Sequence, residues 1–151
     1  MKNIYKIEFD HSSYELDKFY GRLSEQDKAS ISSMSPDAFF DFNYRKGYVL
    51  YLILSPLEID KYSSIMDSNL IAHEITDISD GILDNTISYE KELAPFVNPI
   101  NRARWESYRK TLDEWIYERL DIDFVLDRIG ECGGIDNLRP VEKKFLKNYQ
   151  N

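Results

Sequence analysis

The chain has 151 residues, 42% of them hydrophobic, which is enough to bury a core and excludes general disorder. Its formal net charge of −8 weighs against a phosphate backbone as the main partner, because such binding draws on clustered Lys and Arg. One cysteine, Cys132, excludes an intramolecular disulfide and a Cys-based metal site. The opening MKNIYKIEFD lacks the apolar region of a signal peptide, and no run reaches the length of a membrane span, so a cytoplasmic location is expected. Acidic balance is uneven: residues 1–80 carry 8 basic and 14 acidic side chains, residues 81–151 carry 11 and 13. Abundant Ile, Asn, Asp and Tyr suit an AT-rich bacterial or phage genome.

In chain order, NIYKIEF (3–9) alternates, with Tyr5, Ile7 and Phe9 on one side and Lys6 and Glu8 on the other, as a half-buried strand does. Ser12-Ser13-Tyr14-Glu15 is a capping box opening a helix to about Leu23, with Leu16, Phe19, Tyr20 and Leu23 as its apolar stripe. Residues 24–38 are polar and Ser-rich and include Pro36, which reads as a loop holding one helical turn. Residues 39–44 alternate again, with Phe40, Phe42 and Tyr44 toward the core. Arg45-Lys46-Gly47 then supplies a hairpin turn in which Gly47 can take a positive φ.

YVLYLIL (48–54) is the longest unbroken apolar run and is apolar on both faces, so it belongs in the centre of a sheet covered on both sides. Ser55-Pro56-Leu57-Glu58 is a complete helix start, and Ile59, Tyr62, Ile65 and Met66 form the buried stripe that follows. Residues 71–78 make a fourth strand with Ile71, His73 and Ile75 on one side.

This order predicts an α+β protein. Residues 1–80 form a ferredoxin-like βαββαβ domain, which puts the first and third strands in the middle of the sheet. Residues 81–97 are an irregular connection and 98–151 a helical extension that covers the otherwise open sheet face. In the extension, Asn98-Pro99 opens a long helix to about Leu120. Trp105, Tyr108, Leu112, Trp115 and Ile116 fall within one arc of it. Arg119 falls in the same arc, its stem buried and its head reaching solvent or a carboxylate. Asp121 caps a shorter helix burying Ile122, Val125, Leu126 and Ile129, stopped by Gly133-Gly134. A last helix from Pro140 carries Val141, Phe145, Leu146 and Tyr149.

FVLDRIGECGGIDNLRPVEKKFLKNY (124–149) resembles a short helical tail of the form LDxI…G…L-T-x-x-E-K-x-F-L found on diverse bacterial and phage proteins, some rhomboid-type membrane proteases among them. The likeness covers about a sixth of the chain, departs at Arg139 where the pattern has a capping Thr, and implies no activity.

Few residues suggest chemistry. Asp10-His11-Ser12-Ser13 gathers an acid, an imidazole and two hydroxyls, but a strand end and helix cap accounts for all four. His73 has no His or Cys partner at metal spacing and reads as a half-buried histidine bonded to backbone. Asp121, Asp123 and Asp127 lack the central Gly and terminal Glu of a calcium loop. Lys46-Gly47-Tyr48 resembles the third-strand signature of RNA-recognition motifs. Yet Val49 and Leu50 stand where that pattern has a small residue and a stacking aromatic, and Tyr5 matches only one aromatic of the first strand.

The densest basic-aromatic group is Arg102, Arg104, Trp105, Tyr108 and Arg109, a type of group enriched at protein interfaces. The expected function is therefore a non-enzymatic protein–protein interaction module (adaptor, regulator or inhibitor), with those five residues as partner-binding candidates. No catalytic residue, metal or cofactor is expected, and no nucleic-acid or membrane partner; a homo-oligomer is compatible with the sequence. The alternative is a small-ligand or nucleotide-binding sensor dimerising through its sheet, and a third is an enzyme built on Asp10 and His11.

Overall fold

The computed structural model describes residues 1–34 and 40–149. In chain order these hold β1 (Asn3–Phe9), α1 (Ser13–Gly21), α2 (Glu25–Met34), β2 (Phe40–Tyr44), β3 (Gly47–Leu54), α3 (Pro56–Ser68) and β4 (His73–Asp77). Then follow α4 (Ser79–Asp84), α5 (Tyr89–Leu93), α6 (Arg102–Arg119), α7 (Ile122–Cys132) and α8 (Pro140–Tyr149). The protein is α+β, with one four-stranded antiparallel sheet in the order β2-β3-β1-β4. The two-sided run of 48–54 thus lies in β3, in the centre beside β1, with Tyr5 opposite Leu52 and Ile7 opposite Leu50.

Alternation along the strands divides the core in two. On one face Tyr5, Ile7, Phe9, Leu52 and Leu54 pack with Leu23, Ile31, Met34, Ile59, Tyr62, Ile65, Met66 and Ile71. On the other, Ile4, Phe40, Val49, Tyr51 and Ile53 meet the C-terminal helices through Trp105, Tyr108, Leu112, Trp115 and Ile116. Each large side chain buried this way stabilises the fold by roughly 1.5–3 kcal/mol. Both local signals at the start of α3 operate: Ser55 Oγ accepts from Glu58 N, and Glu58 Oε1 accepts from Ser55 N at 3.0 Å.

Several sequence expectations need correction. Much of residues 24–38 is not loop but the ten-residue α2. Ser24 caps it through Asp27 N at 3.0 Å, Glu25 and Asp27 suit its first turn, and Ile31 and Met34 anchor it at i,i+3. Frequent serines hid that short apolar stripe. Pro36 and Phe39 lie outside the described residues.

At the hairpin it is Arg45, φ 57°, that takes the left-handed conformation. Gly47 is required for another reason: a Cβ there would stand 2.5 Å from the Phe9 carbonyl oxygen on the neighbouring strand. The fourth strand is shorter than 71–78. Residues 81–97, read as irregular, hold most of α4, all of α5 and a 3-10 turn at Ala94–Phe96; elements of under two turns show no helical period.

The long helix begins at Arg102 rather than Asn98. Asn98 instead closes a turn by accepting from Ile100 N and Asn101 N. Tyr44 and Leu126, expected in the core, are 47% and 53% exposed, being at a strand end and a helix edge. Gly133 does end α7 in the left-handed conformation, φ 86°. Among the described residues, no helix is long and apolar enough to cross a membrane.

Candidate functional site

The basic-aromatic group of α6 is divided by the helix that carries it. Trp105 and Tyr108 are 7% and 1% exposed and pack on Phe40 at ring separations of 5.3 and 6.1 Å, so they belong to the layer on the sheet. At 100° per residue Arg104 lies on one flank of that stripe and Arg102 and Arg109 on the other. Arg104 Nη2 lies 2.7 Å from Asp41 Oδ1, across the edge strand β2, and neutralises a carboxylate oxygen that has no aligned hydrogen bond among the described residues. The same carboxylate accepts from the Tyr48 hydroxyl; burial first, and Asp41 second, push that phenol well above its ordinary value. Arg109 Nε pairs with Glu90 Oε1 at 2.6 Å, and Arg102 is exposed. No single surface presents all five residues.

The other sequence candidates resolve into local structure. Ser12 caps α1 through Glu15 N, and His11 Nδ1 lies 3.1 Å from Glu15 Oε2 with its ring edge-on to Phe19. His73 is half-buried, its Nδ1 2.9 Å from the Ile71 carbonyl and its Nε2 3.0 Å from Ser63 Oγ. Its nearest carboxylate, Asp67, stands 3.9 Å away. Asp121 caps α7 by accepting from Phe124 N. Among the described residues no group of three or more His, Cys, Asp or Glu could hold a metal ion. The sheet face an RNA-recognition motif leaves open is covered here by α6, while Tyr5 and Tyr48 face α1–α3.

A groove of about 660 Å³ runs between α6 and α8. Tyr117, Pro140 and Val141 give it apolar surface, and both charge signs ring it: Glu106, Asp113, Glu114 and Glu118 against Arg109, Lys110 and Lys144. Asp113 accepts from the Tyr89 hydroxyl, and Lys144 Nζ sits 5.3 Å over the Tyr117 ring. Beyond Tyr117 the aromatic surface continues along α8, Phe145 lying 5.9 Å from Tyr117 and 6.0 Å from Tyr149. Of the five sequence-derived candidates, Arg109 alone borders this groove. Tyr117 and Lys144 were missed because each is unremarkable in its own helix and gains meaning only when α8 packs on α6.

What holds α8 there is a buried ion cluster, also missed. Glu142, 0% exposed, receives Arg128 Nε at 3.1 Å and Arg139 Nε at 3.1 Å. Arg139 also donates to the Ile82 carbonyl at 2.6 Å and to the Leu83 carbonyl, tying α4 to α7 and α8. This explains the departure at Arg139. Glu142 still reaches back to the Arg139 backbone N at 3.0 Å, half of a capping box, while a guanidinium replaces the missing hydroxyl and bonds elsewhere. Comparison with known protein families, curated proteins and solved structures finds no match for this chain.

Proposed function

We propose that the chain is a non-enzymatic protein-interaction module whose partner docks in the groove between α6 and α8. The observation that carries this reading is the groove's composition: an apolar floor of Tyr117, Pro140 and the buried Val141 inside a rim of both charge signs, continued along α8 by the half-buried Phe145 and the exposed Tyr149. Protein interfaces share this anatomy, a desolvated apolar centre within a polar rim. A ligand of one charge sign would meet repulsion from half the rim, whereas a polypeptide can match both. Arg109 remains in the proposed interface; Arg102 lies on the same flank of α6.

We read residues 1–80 as a ferredoxin-like domain with one additional helix, α2, in its first crossover, followed by a connection to 97 and a helical extension. The strand order and antiparallel pairing support this. A cytoplasmic setting and the lack of a nucleic-acid partner belong to the same proposal. Arg104 and Arg109 already face carboxylates, which supports the second point.

The test is affinity capture with the wild type and with a Tyr117→Ala, Lys144→Glu variant, using Tyr14→Ala on the exposed side of α1 as control. A partner lost only with the groove variant supports the reading. A partner retained by it and lost with Tyr14→Ala overturns it.

A further inference from the structure

The groove between α6 and α8 carries opposite charge on its two walls. On the α6 side, Arg109 pairs with Glu90 and Asp113 accepts from the Tyr89 hydroxyl, so both are committed within the chain. The exposed charges left there are Glu106, Lys110, Glu114 and Glu118, three acids against one base. Helix α8 exposes Lys143, Lys144 and Lys147, while its one acid, Glu142, is buried in the ion cluster. Glu118 has Arg119 at 3.9 Å, and the others have no ion-pair partner among the described residues. Lys144 lies over the Tyr117 ring, its Nζ 5.3 Å from the centroid, rather than on an acid of α6.

A two-fold contact presents the same patch from both molecules, so each pairing across it occurs twice. A patch of one charge sign repels its own copy. An acidic wall beside a basic wall matches its copy when the axis runs along the groove, because that rotation lays α8 of each molecule on α6 of the other. An axis across the groove would set α6 against α6, with acids facing acids. Rotation about the axis along the groove also keeps every residue at its own level. Phe145 and Asn148 fix the level of α8 by meeting Tyr117, with 5.9 Å between the rings and 3.0 Å from the Asn148 amide nitrogen to the hydroxyl. Lys144 therefore arrives beside Glu114 and Glu118 of the second copy, which flank Tyr117 on α6.

We propose that the occupant of the groove is a second copy of this chain, related by a two-fold axis along the groove, with α8 of each molecule on α6 of the other. This rests on the groove being the interface and names what fills it. Exposed ion pairs add little affinity singly, so charge sets the orientation and burial of Tyr117 and Pro140 supplies the rest.

The experiment is sedimentation of the whole chain over a range of concentrations, as wild type, as Lys144→Glu, as Glu114→Lys, and as an equimolar mixture of those two variants. Both positions are exposed and make no ion pair within the chain, so neither change disturbs the fold. The wild type is expected to dimerise, and to do so more weakly as salt rises, because its ion pairs lie at the rim. Each variant alone sets like charges together at both symmetry-related contacts and should weaken dimerisation by about tenfold. Mixing the two variants restores it. In the mixed dimer one contact is native and the other has both signs reversed, so both attract.

A wild type that stays monomeric at millimolar concentration overturns the proposal, while the capture experiment with Tyr117→Ala, Lys144→Glu decides separately whether a different protein uses the groove. A dimer indifferent to both single changes overturns it as well. So do variants that remain monomeric when mixed.

Discussion

Arg119 lies over Trp115, its guanidinium carbon 3.9 Å from the ring centroid, and both side chains donate to the carbonyl of Lys2. The Trp115 Nε1 bond is 2.8 Å and the Arg119 Nη2 bond 2.7 Å, while Arg119 Nη1 returns to the Trp115 carbonyl at 2.9 Å. The pair fastens the end of α6 to the residue preceding β1. Arg119→Ala is expected to lower unfolding free energy by about 2 kcal/mol, combining a cation–π contact with charge-assisted bonds. Arg119→Lys should recover less than half, because an ammonium lacks the planar fork that serves two carbonyls and the ring together. Urea unfolding of the three proteins checks this.

Glu142 makes acid stability depend on the ion cluster. Burial opposes its ionisation, but hydrogen bonds from Arg139 and the charges of Arg139 and Arg128 outweigh burial and hold its carboxyl below the ordinary value. A lowered folded-state value means the contribution is fully present above the unfolded-state value, near 4.3. It is lost as pH falls through the folded-state value. Glu142→Gln should cost about 3 kcal/mol at neutral pH, because it leaves two buried guanidinium groups short of their counter-charge. It should also flatten the fall in stability on the acid side. Unfolding curves for both proteins between about pH 7 and pH 3 give the comparison.

The sequence shows the sheet more clearly than it shows the site. Tyr48 to Leu54 announce a doubly covered central strand because burial on two faces leaves no polar position in the run. The α6 stripe of Trp105, Tyr108, Leu112, Trp115 and Ile116 is legible because eighteen residues allow several helical periods. Arg128 and Glu142 were unreadable for the opposite reason. Charge normally marks a surface, and only the meeting of α4, α7 and α8 makes these two residues interior. The groove depends on the same meeting, so Arg109 was the one member of its rim that local composition singled out as a binding candidate.

Leu70 offers a test of local strain. It follows α3 with φ 57° and is 93% exposed, standing where a helix commonly ends in glycine. The Ile71 N to Met66 carbonyl bond at 2.9 Å closes the turn around it. Leu70→Gly removes the Cβ clash and sacrifices no packing, so despite glycine's greater freedom when unfolded it should stabilise by about 0.5–1 kcal/mol. A melting temperature at or below that of the wild type would show that the leucine is not strained.

Nucleic-acid binding should be negligible at about 150 mM salt, where exposed charges are screened beyond roughly 8 Å. A phosphate approaching Arg104 or Arg109 must displace Asp41 or Glu90. Salt-sensitive gel shifts with RNA or DNA, abolished by Arg104→Glu with Arg109→Glu in a folded protein, would make α6 a phosphate site instead.

The interface reading is tested most directly by hydrogen exchange on the whole chain, free and bound to a captured partner. New protection is expected along 106–118 of α6 and 140–149 of α8, with exchange in α1 and β4 unchanged. Protection confined to α1, β4 or the β2–β3 turn, with the groove exchanging as in the free protein, would contradict it.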